Sequence, residues 1–217
     1  MSAKRVDEPM VIDGVLAEAD WSRAEVASSF VQNRPGNGYP SALKTDVKIL
    51  YDSRNLYVGA VLHDDRPDLL ITAGLEHDFH PLRGEMFAVI LDPLLDRRSS
   101  YIFGTNPGSA LMDFQTFDNG RTVVRAWEAA VEIATQVTES AWLVEMRIPL
   151  TAISFNPERD ALLEVAAVIL TMDDDGWVRR AETHVQQIDP FEGANLEQSA
   201  LDFTGIDPWN PEREAVP

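Results

Sequence analysis

The chain has 217 residues, enough for one domain with a sizeable hydrophobic core. Its 36 acidic and 18 basic side chains give a formal net charge of -18 at pH 7, and this charge repels nucleic acids and anionic membrane surfaces, so neither is expected as a partner. The absence of cysteine excludes disulfides, thiolate metal sites, a cysteine nucleophile and covalently attached haem.

The sequence shows neither a secretory signal nor a membrane-spanning pattern. Residues 1–14 lack the apolar core of a signal peptide, and no run approaches the roughly 18 apolar residues of a transmembrane helix. Membrane insertion is therefore not expected. One domain, 10–206, is expected between a ragged amino terminus, 1–9, and a proline-rich tail, 207–217.

Short strand patterns separated by turn residues recur along the chain. A brief helix is expected at 18–24, and another helical turn at 150–153. The clearest strand pattern is the alternation of Trp142, Val144, Met146 and Ile148 with their neighbours, which places four large apolar groups on one sheet face. Strands are predicted at 47–51, 56–62, 87–91, 101–105, 129–133, 142–148 and 162–170, and a tight turn at 173–176.

The predicted helices are too short to connect parallel strands. A parallel connection needs about a dozen residues, usually as a helix, whereas antiparallel strands are joined by short turns. The strands at 87–91 and 101–105 predict such a hairpin, with the polar residues Asp92 and Asp96 at its tip. The sequence therefore predicts an all-β, antiparallel β-sandwich or barrel with short helical turns only.

Four segments in this order carry a family resemblance: VIDGVLAEADW at 11–21, KILYDSRNLYVGAVLHDD at 48–65, LDPLLDRRSSYIFGTNPGSALMD at 91–113 and WLVEMRIPLTAISF at 142–155. Together they resemble a family-nine carbohydrate-binding module, in the variant found at the amino terminus of bacterial outer-membrane proteins of unknown function. The resemblance implies a jelly-roll-like β-sandwich, sugar binding between aromatic side chains, structural calcium and an extracytoplasmic location. Related sandwiches hold haem or serve in redox enzymes.

Sugar binding requires a flat apolar face against the pyranose ring and fixed polar groups for its hydroxyls. Trp127, Trp177 and Tyr101 are the aromatic candidates, because they lie near predicted loops or beside polar residues. Each also fits a packing role in the core or at its rim. The polar candidates are Asn106, Gln115 and Arg125, which equally suit turns or a solvated sheet face.

Calcium prefers six to eight oxygen ligands from loops. Asp92 with Asp96 and Asp64 with Asp65 each follow an apolar strand, so these pairs are the candidate metal ligands. Neither pair matches the twelve-residue helix–loop–helix calcium pattern, and solvated turn carboxylates explain both equally well.

An alternative hypothesis is an enzyme built on the same sandwich. His77, His80 and Glu85 fall in one predicted loop, HDFHPLRGE, where they suit acid–base or metal chemistry, with His63 as a further metal ligand. Accidental clusters of this size are common. A second alternative is a haem-binding redox module, although the spacing of its methionines and histidines, Met86, Met112, His63 and His184, selects no ligand pair. The sequence favours non-catalytic binding of a carbohydrate or similar small polyhydroxylated ligand.

Overall fold

The computed structural model describes residues 2–34, 38–155, 163–172 and 178–188. Within them the strands are β1 Lys4–Arg5, β2 Val26–Ala27, β3 Val31–Arg34, β4 Thr45–Tyr51, β5 Asn55–His63, β6 Met86–Asp92, β7 Ser100–Thr105, β8 Leu111–Phe117, β9 Thr122–Val124, β10 Glu132–Val137, β11 Ala141–Pro149, β12 Leu163–Met172 and β13 Val178–Ile188. A five-residue helix, α1 Ala19–Arg23, and two 3₁₀ turns, Pro67–Leu69 and Pro81–Arg83, complete these elements.

The strands form two sheets. The first has the order β1-β4-β5-β11-β10, with β2 also paired to β4, and the second has the order β3-β13-β12-β6-β7-β8-β9. Strands β1 and β4 run parallel, and the other pairings of named strands are antiparallel. The predicted antiparallel β-sandwich is confirmed.

The main core lies between the sheets. It contains alternate residues of the central strands, such as Val58 and Val144 from the first sheet and Phe87, Val89 and Phe103 from the second. The four large apolar side chains predicted to share one face of β11 all belong to this core. Burial on this scale supplies most of the free energy that favours folding.

The outer face of the second sheet is also covered. Met86, Ile102 and Phe114 point away from the main core, and they form a second cluster with Phe79 from the loop between β5 and β6. Because both faces of β6 are buried, its sequence is a continuous apolar run rather than an alternating one.

The amino-terminal segment covers the outer face of the first sheet. Trp21 packs with Val6, Met10, Leu50 and Tyr57 in a third cluster. Trp21 is therefore fully buried on the outer face of this sheet. Residues of the expected ragged terminus take part, since Lys4–Arg5 forms β1.

Several local predictions differ from the structure. Residues 150–154 form a turn, closed by the Phe155 N–H donating to the Leu150 carbonyl at 3.0 Å, and no helix. Strand β10 begins at Glu132, three residues later than predicted, and β8 was not predicted. The turn predicted at 173–176 lies outside the described residues. In the described part of the chain, each helix is too short or too polar to span a membrane.

Candidate functional site

Two predicted ligand-binding aromatics meet in the structure. Trp127, in the segment between β9 and β10, lies with its ring centroid 5.2 Å from that of Tyr101 on β7, at an interplanar angle of 63°. Phe103 is 5.7 Å away on the same strand and is fully buried. Trp127 and Tyr101 are half-buried against the main core. The core thus fixes both rings while leaving part of each exposed.

Gln115 joins this aromatic pair, and Arg125 does not. Gln115 is the cross-strand partner of Tyr101 on β8, so the two half-buried side chains share one face of the sheet. The Arg125 guanidinium carbon lies 5.2 Å from the centroid of Phe114, which points to the opposite face. We call Tyr101, Gln115 and Trp127 the aromatic site.

The remaining predicted sugar contacts lie elsewhere. Asn106 is fully buried, and its amide nitrogen donates to the Gly74 carbonyl at 2.7 Å. Its amide oxygen accepts from the N–H groups of Gly108 and Ala110, at 2.9 and 3.3 Å. This side chain therefore holds the turn after β7. Trp177 lies outside the described residues.

The carboxylates of Asp92 and Asp96 organise the hairpin tip between β6 and β7. Asp92 is fully buried and accepts from the backbone N–H groups of Leu94 and Arg97, at 3.1 and 2.7 Å. Burial raises the pKa of Asp92. Asp96 accepts from the Arg98 N–H at 2.7 Å and from the Ser99 N–H and hydroxyl, at 2.8 and 3.0 Å. Burial opposes the ionisation of Asp96, but these bonds and the Arg98 charge outweigh it and lower its pKa.

The second predicted calcium pair follows β5. Asp64 accepts from the Arg66 N–H at 2.6 Å, and Asp65 is exposed. Asp92, Asp96 and Asp64 thus stabilise turns through their hydrogen bonds, which was the alternative explanation for these carboxylates. Calcium binding at either pair stays a prediction.

The histidine loop contacts an acidic residue that the sequence analysis did not select. His77 Nε2 lies 2.9 Å from Oδ1 of Asp113 on β8, and Asp113 is fully buried. The neighbouring Asp78 donates its backbone N–H to the Leu111 carbonyl at 2.9 Å, and its Oδ1 accepts from the Asp113 N–H at 3.3 Å. The loop therefore contacts the first half of β8, whereas the second half, Gln115–Phe117, pairs with β9.

The structure groups His77 with aspartates rather than with its predicted partners. Ligand-type atoms of His77, Asp78 and Asp113 lie within 4.8 Å of one another, and this is the metal-ligand group found among the described residues. His80 caps a 3₁₀ turn, where its Nδ1 accepts from the Leu82 N–H at 3.3 Å. Glu85 is buried, and its N–H donates to Ile71.

Asp113 also holds the segment that carries Trp127. Its Oδ2 accepts from the Ala129 N–H at 2.7 Å. Burial raises the pKa of Asp113, and the Asp78 charge adds to the rise, while the Ala129 N–H and His77 oppose it. The sequence does contain a signal for this role of Asp113. The residue lies between the apolar Met112 and Phe114, and a carboxylate in such a setting indicates a polar partner, because unpaired carboxylates are rarely buried.

The residues considered for haem are dispersed. Met86 and Met112 are fully buried in the second cluster, where they pack against apolar side chains. His63 Nε2 lies 3.2 Å from Oδ2 of Asp46. His184 falls on β13, in a part of the strand whose side chains are not described.

Comparison with known proteins adds a family and a fold. The family described as "Carbohydrate family 9 binding domain-like" matches residues 12–190. A family 9 carbohydrate-binding module from Caldicellulosiruptor kristjanssonii in complex with glucose superimposes with a TM-score of 0.64 at 16% identity, covering 92% of this chain and 100% of that one. The cellotriose complex gives 0.61 at 17% identity, with coverages of 91% and 99%.

A segment of the chain is also similar to ribonuclease T. The protein of that name from Marinobacter nauticus is 92% identical over 63 residues, which are 29% of this chain and 28% of the relative. Ribonuclease T from Photorhabdus laumondii is 61% identical over 62 residues, or 29% of each chain. The chain thus spans less than a third of the length of these curated relatives. The similarity concerns a segment, and it carries no ribonuclease activity over to this chain.

Proposed function

The chain belongs to the carbohydrate family 9 binding domain-like family, and from this premise we propose that it binds a carbohydrate at the aromatic site without chemically altering it. The resemblance found in the sequence is thereby confirmed at the level of the family. Support for the ligand class comes from the similar folds solved with glucose and cellotriose. The observation that carries the proposal is the half-buried Trp127, held at 5.2 Å from Tyr101.

The aromatic site has the chemistry that a pyranose requires. The exposed parts of the Trp127 and Tyr101 rings offer an apolar surface for the C–H face of a sugar, and burial of that surface favours binding. Gln115, beside Tyr101, offers both a hydrogen-bond donor and an acceptor for hydroxyl groups. Because the core fixes the two rings, little side-chain entropy is lost on binding.

The net charge of the chain favours neutral saccharides over anionic ones. With a net charge of -18, the chain repels anionic glycans at long range. We therefore propose a neutral saccharide, and glucose, cellobiose and cellotriose are suitable first probes.

Isothermal titration of these three saccharides tests the proposal. We expect binding to the unaltered chain, and a loss of at least roughly tenfold in affinity for Trp127→Ala, which corresponds to about 1.4 kcal/mol. Tyr39→Ala is the matched control, because Tyr39 is 68% exposed and its carbonyl accepts from Gln32 on β3, at the other edge of the second sheet. Its affinity should not change.

A second variant separates lost binding from lost folding. Trp127→Ala removes a side chain that packs on the core, so circular dichroism must show that the variant is folded. Gln115→Ala leaves both rings in place and should weaken binding several-fold by removing hydrogen bonds. Equal affinities of the unaltered chain, Trp127→Ala and Gln115→Ala would place binding elsewhere. The absence of binding to all three saccharides would refute a neutral glucan as the ligand.

A further inference from the structure

We propose that His77, Asp78 and Asp113 form a binding site for a divalent first-row transition-metal ion of the Zn²⁺ type. The loop before β6 supplies the first two residues and β8 supplies the third. Their ligand-type atoms lie within 4.8 Å of one another. This site is separate from the saccharide proposal and does not depend on it.

The spacing of the three side chains suits one small cation. Two ligands held at about 2.0–2.2 Å from a tetrahedral Zn²⁺ lie about 3.4 Å apart. His77 Nε2 and Asp113 Oδ1 are already 2.9 Å apart, so a small outward movement admits the ion between them. Asp78 is exposed, and its Oδ1 accepts from the Asp113 N–H at 3.3 Å, which holds its carboxylate beside the other two side chains.

The group has more negative charge than a histidine–aspartate pair, and this excess favours binding of a cation. Two carboxylates face one imidazole, and one of them, Asp113, is fully buried. Among the described residues, the hydrogen-bond partners of the Asp113 carboxylate are His77 and the Ala129 N–H. The carboxylates of Asp78 and Asp113 lie close enough to repel each other, and a divalent ion bound between them would be attracted to both.

The ligand types select the class of metal. Calcium prefers six to eight oxygen ligands, whereas imidazole with carboxylates suits zinc and its neighbours. Three protein ligands leave at least one coordination position for water. The solvent has access to it, because the His77 side chain is 42% exposed and Asp78 is exposed as well.

The ion would connect three parts of the chain. His77 and Asp78 belong to the loop before β6, Asp113 belongs to β8, and the other oxygen of Asp113 holds Ala129. Metal binding to the folded chain alone should therefore raise its melting temperature in proportion to the logarithm of the free metal concentration.

Zinc titration of the chelator-treated protein tests the site. We expect one ion per chain by isothermal titration, and at least roughly tenfold weaker binding in His77→Ala and in Asp78→Asn. Asparagine tolerates the positive φ of 58° at position 78, so Asp78→Asn should fold normally. His80→Ala is the matched control, because this exposed histidine lies three residues away and outside the group.

Each outcome of the titration bears on the site. Weakening in both ligand variants, with His80→Ala unchanged and a zinc-dependent rise in melting temperature, would support it. Absence of zinc binding, unchanged binding in folded His77→Ala, or equal weakening in His80→Ala would overturn it. Displacement of zinc by an equimolar concentration of calcium would overturn the assignment to a transition metal.

Discussion

Glu145→Gln should destabilise the fold, because Glu145 connects the amino-terminal segment to the first sheet. Its side chain is fully buried on β11, and its Oε1 accepts from Trp21 Nε1 at 2.9 Å. Its Oε2 accepts from the backbone N–H groups of Asp13 and Gly14, at 3.0 and 2.9 Å. Glutamine has one acceptor oxygen, so its amide nitrogen must face one of these donors.

The structure sets the size of the effect. In the better orientation, the glutamine oxygen keeps both backbone bonds and its amide nitrogen opposes the Trp21 N–H. A buried donor without an acceptor costs about 1–3 kcal/mol. Removal of the buried charge offsets part of this cost, since burial raises the pKa of Glu145. We expect a net loss of about 1–2 kcal/mol, equivalent to roughly 2–8 °C in melting temperature for a chain of this length.

Urea denaturation at pH 7, followed by tryptophan fluorescence, measures this loss. Glu132→Gln is the control: Glu132 lies on the neighbouring strand, its side chain is 59% exposed, and it is ion-paired with Arg147 at 2.6 Å. Exposed pairs contribute about 0–1 kcal/mol. Equal midpoints for the two variants would refute the assigned role of Glu145.

Two further predictions concern pH and packing. Because burial raises the pKa of Glu145 above its ordinary value of 4.5, the folded chain keeps this proton to a higher pH than the unfolded chain. The unaltered protein should therefore lose stability relative to Glu145→Gln as the pH rises from about 4.5, and parallel urea midpoints between pH 4 and 7 would contradict this. Gly84→Ala would place a Cβ 2.5 Å from the Ile71 carbonyl oxygen and 2.7 Å from the Ala73 nitrogen, and overpacking against backbone should cost about 1–3 kcal/mol. Gly104→Ala, whose Cβ would meet the end of a flexible methionine side chain at 2.7 Å, should cost less in thermal denaturation, and the reverse order would contradict the packing explanation.

The central strands were predictable because their signal is local. Strand β11 alternates apolar and polar residues, and β6 is a continuous apolar run, and either pattern is visible within a window of seven to nine residues. Strand β8 was not predicted because its two faces differ from the usual pattern of an apolar inner face and a polar outer face. Its polar residues Asp113 and Gln115 face the other sheet, whereas Met112 and Phe114 face outward and are covered by a loop. The late start of β10 has a related cause, since the Ala129 N–H bonds to Asp113 instead of to a strand.

The sites depended on contacts between distant parts of the chain. The sequence singled out Trp127, Tyr101 and Gln115 one by one, but their proximity follows from the pairing of β7 with β8 and from the path of the segment after β9. His77 was selected with His80, its neighbour along the chain. Its observed partner, Asp113, lies 36 positions away.

The sequence by itself determined the class of fold, because hydrophobic periodicity and turn residues act over a few neighbouring positions. It also determined the family, through four segments kept in order. Only the tertiary structure decided which polar groups come together. The hydrogen-bond partners of a buried carboxylate come from loops that the sheets bring close in space. These partners are distant along the chain, so local sequence patterns do not identify them. The pairing of Asp113 with His77 and the covering of Glu145 by the amino-terminal segment therefore became visible only in the folded chain.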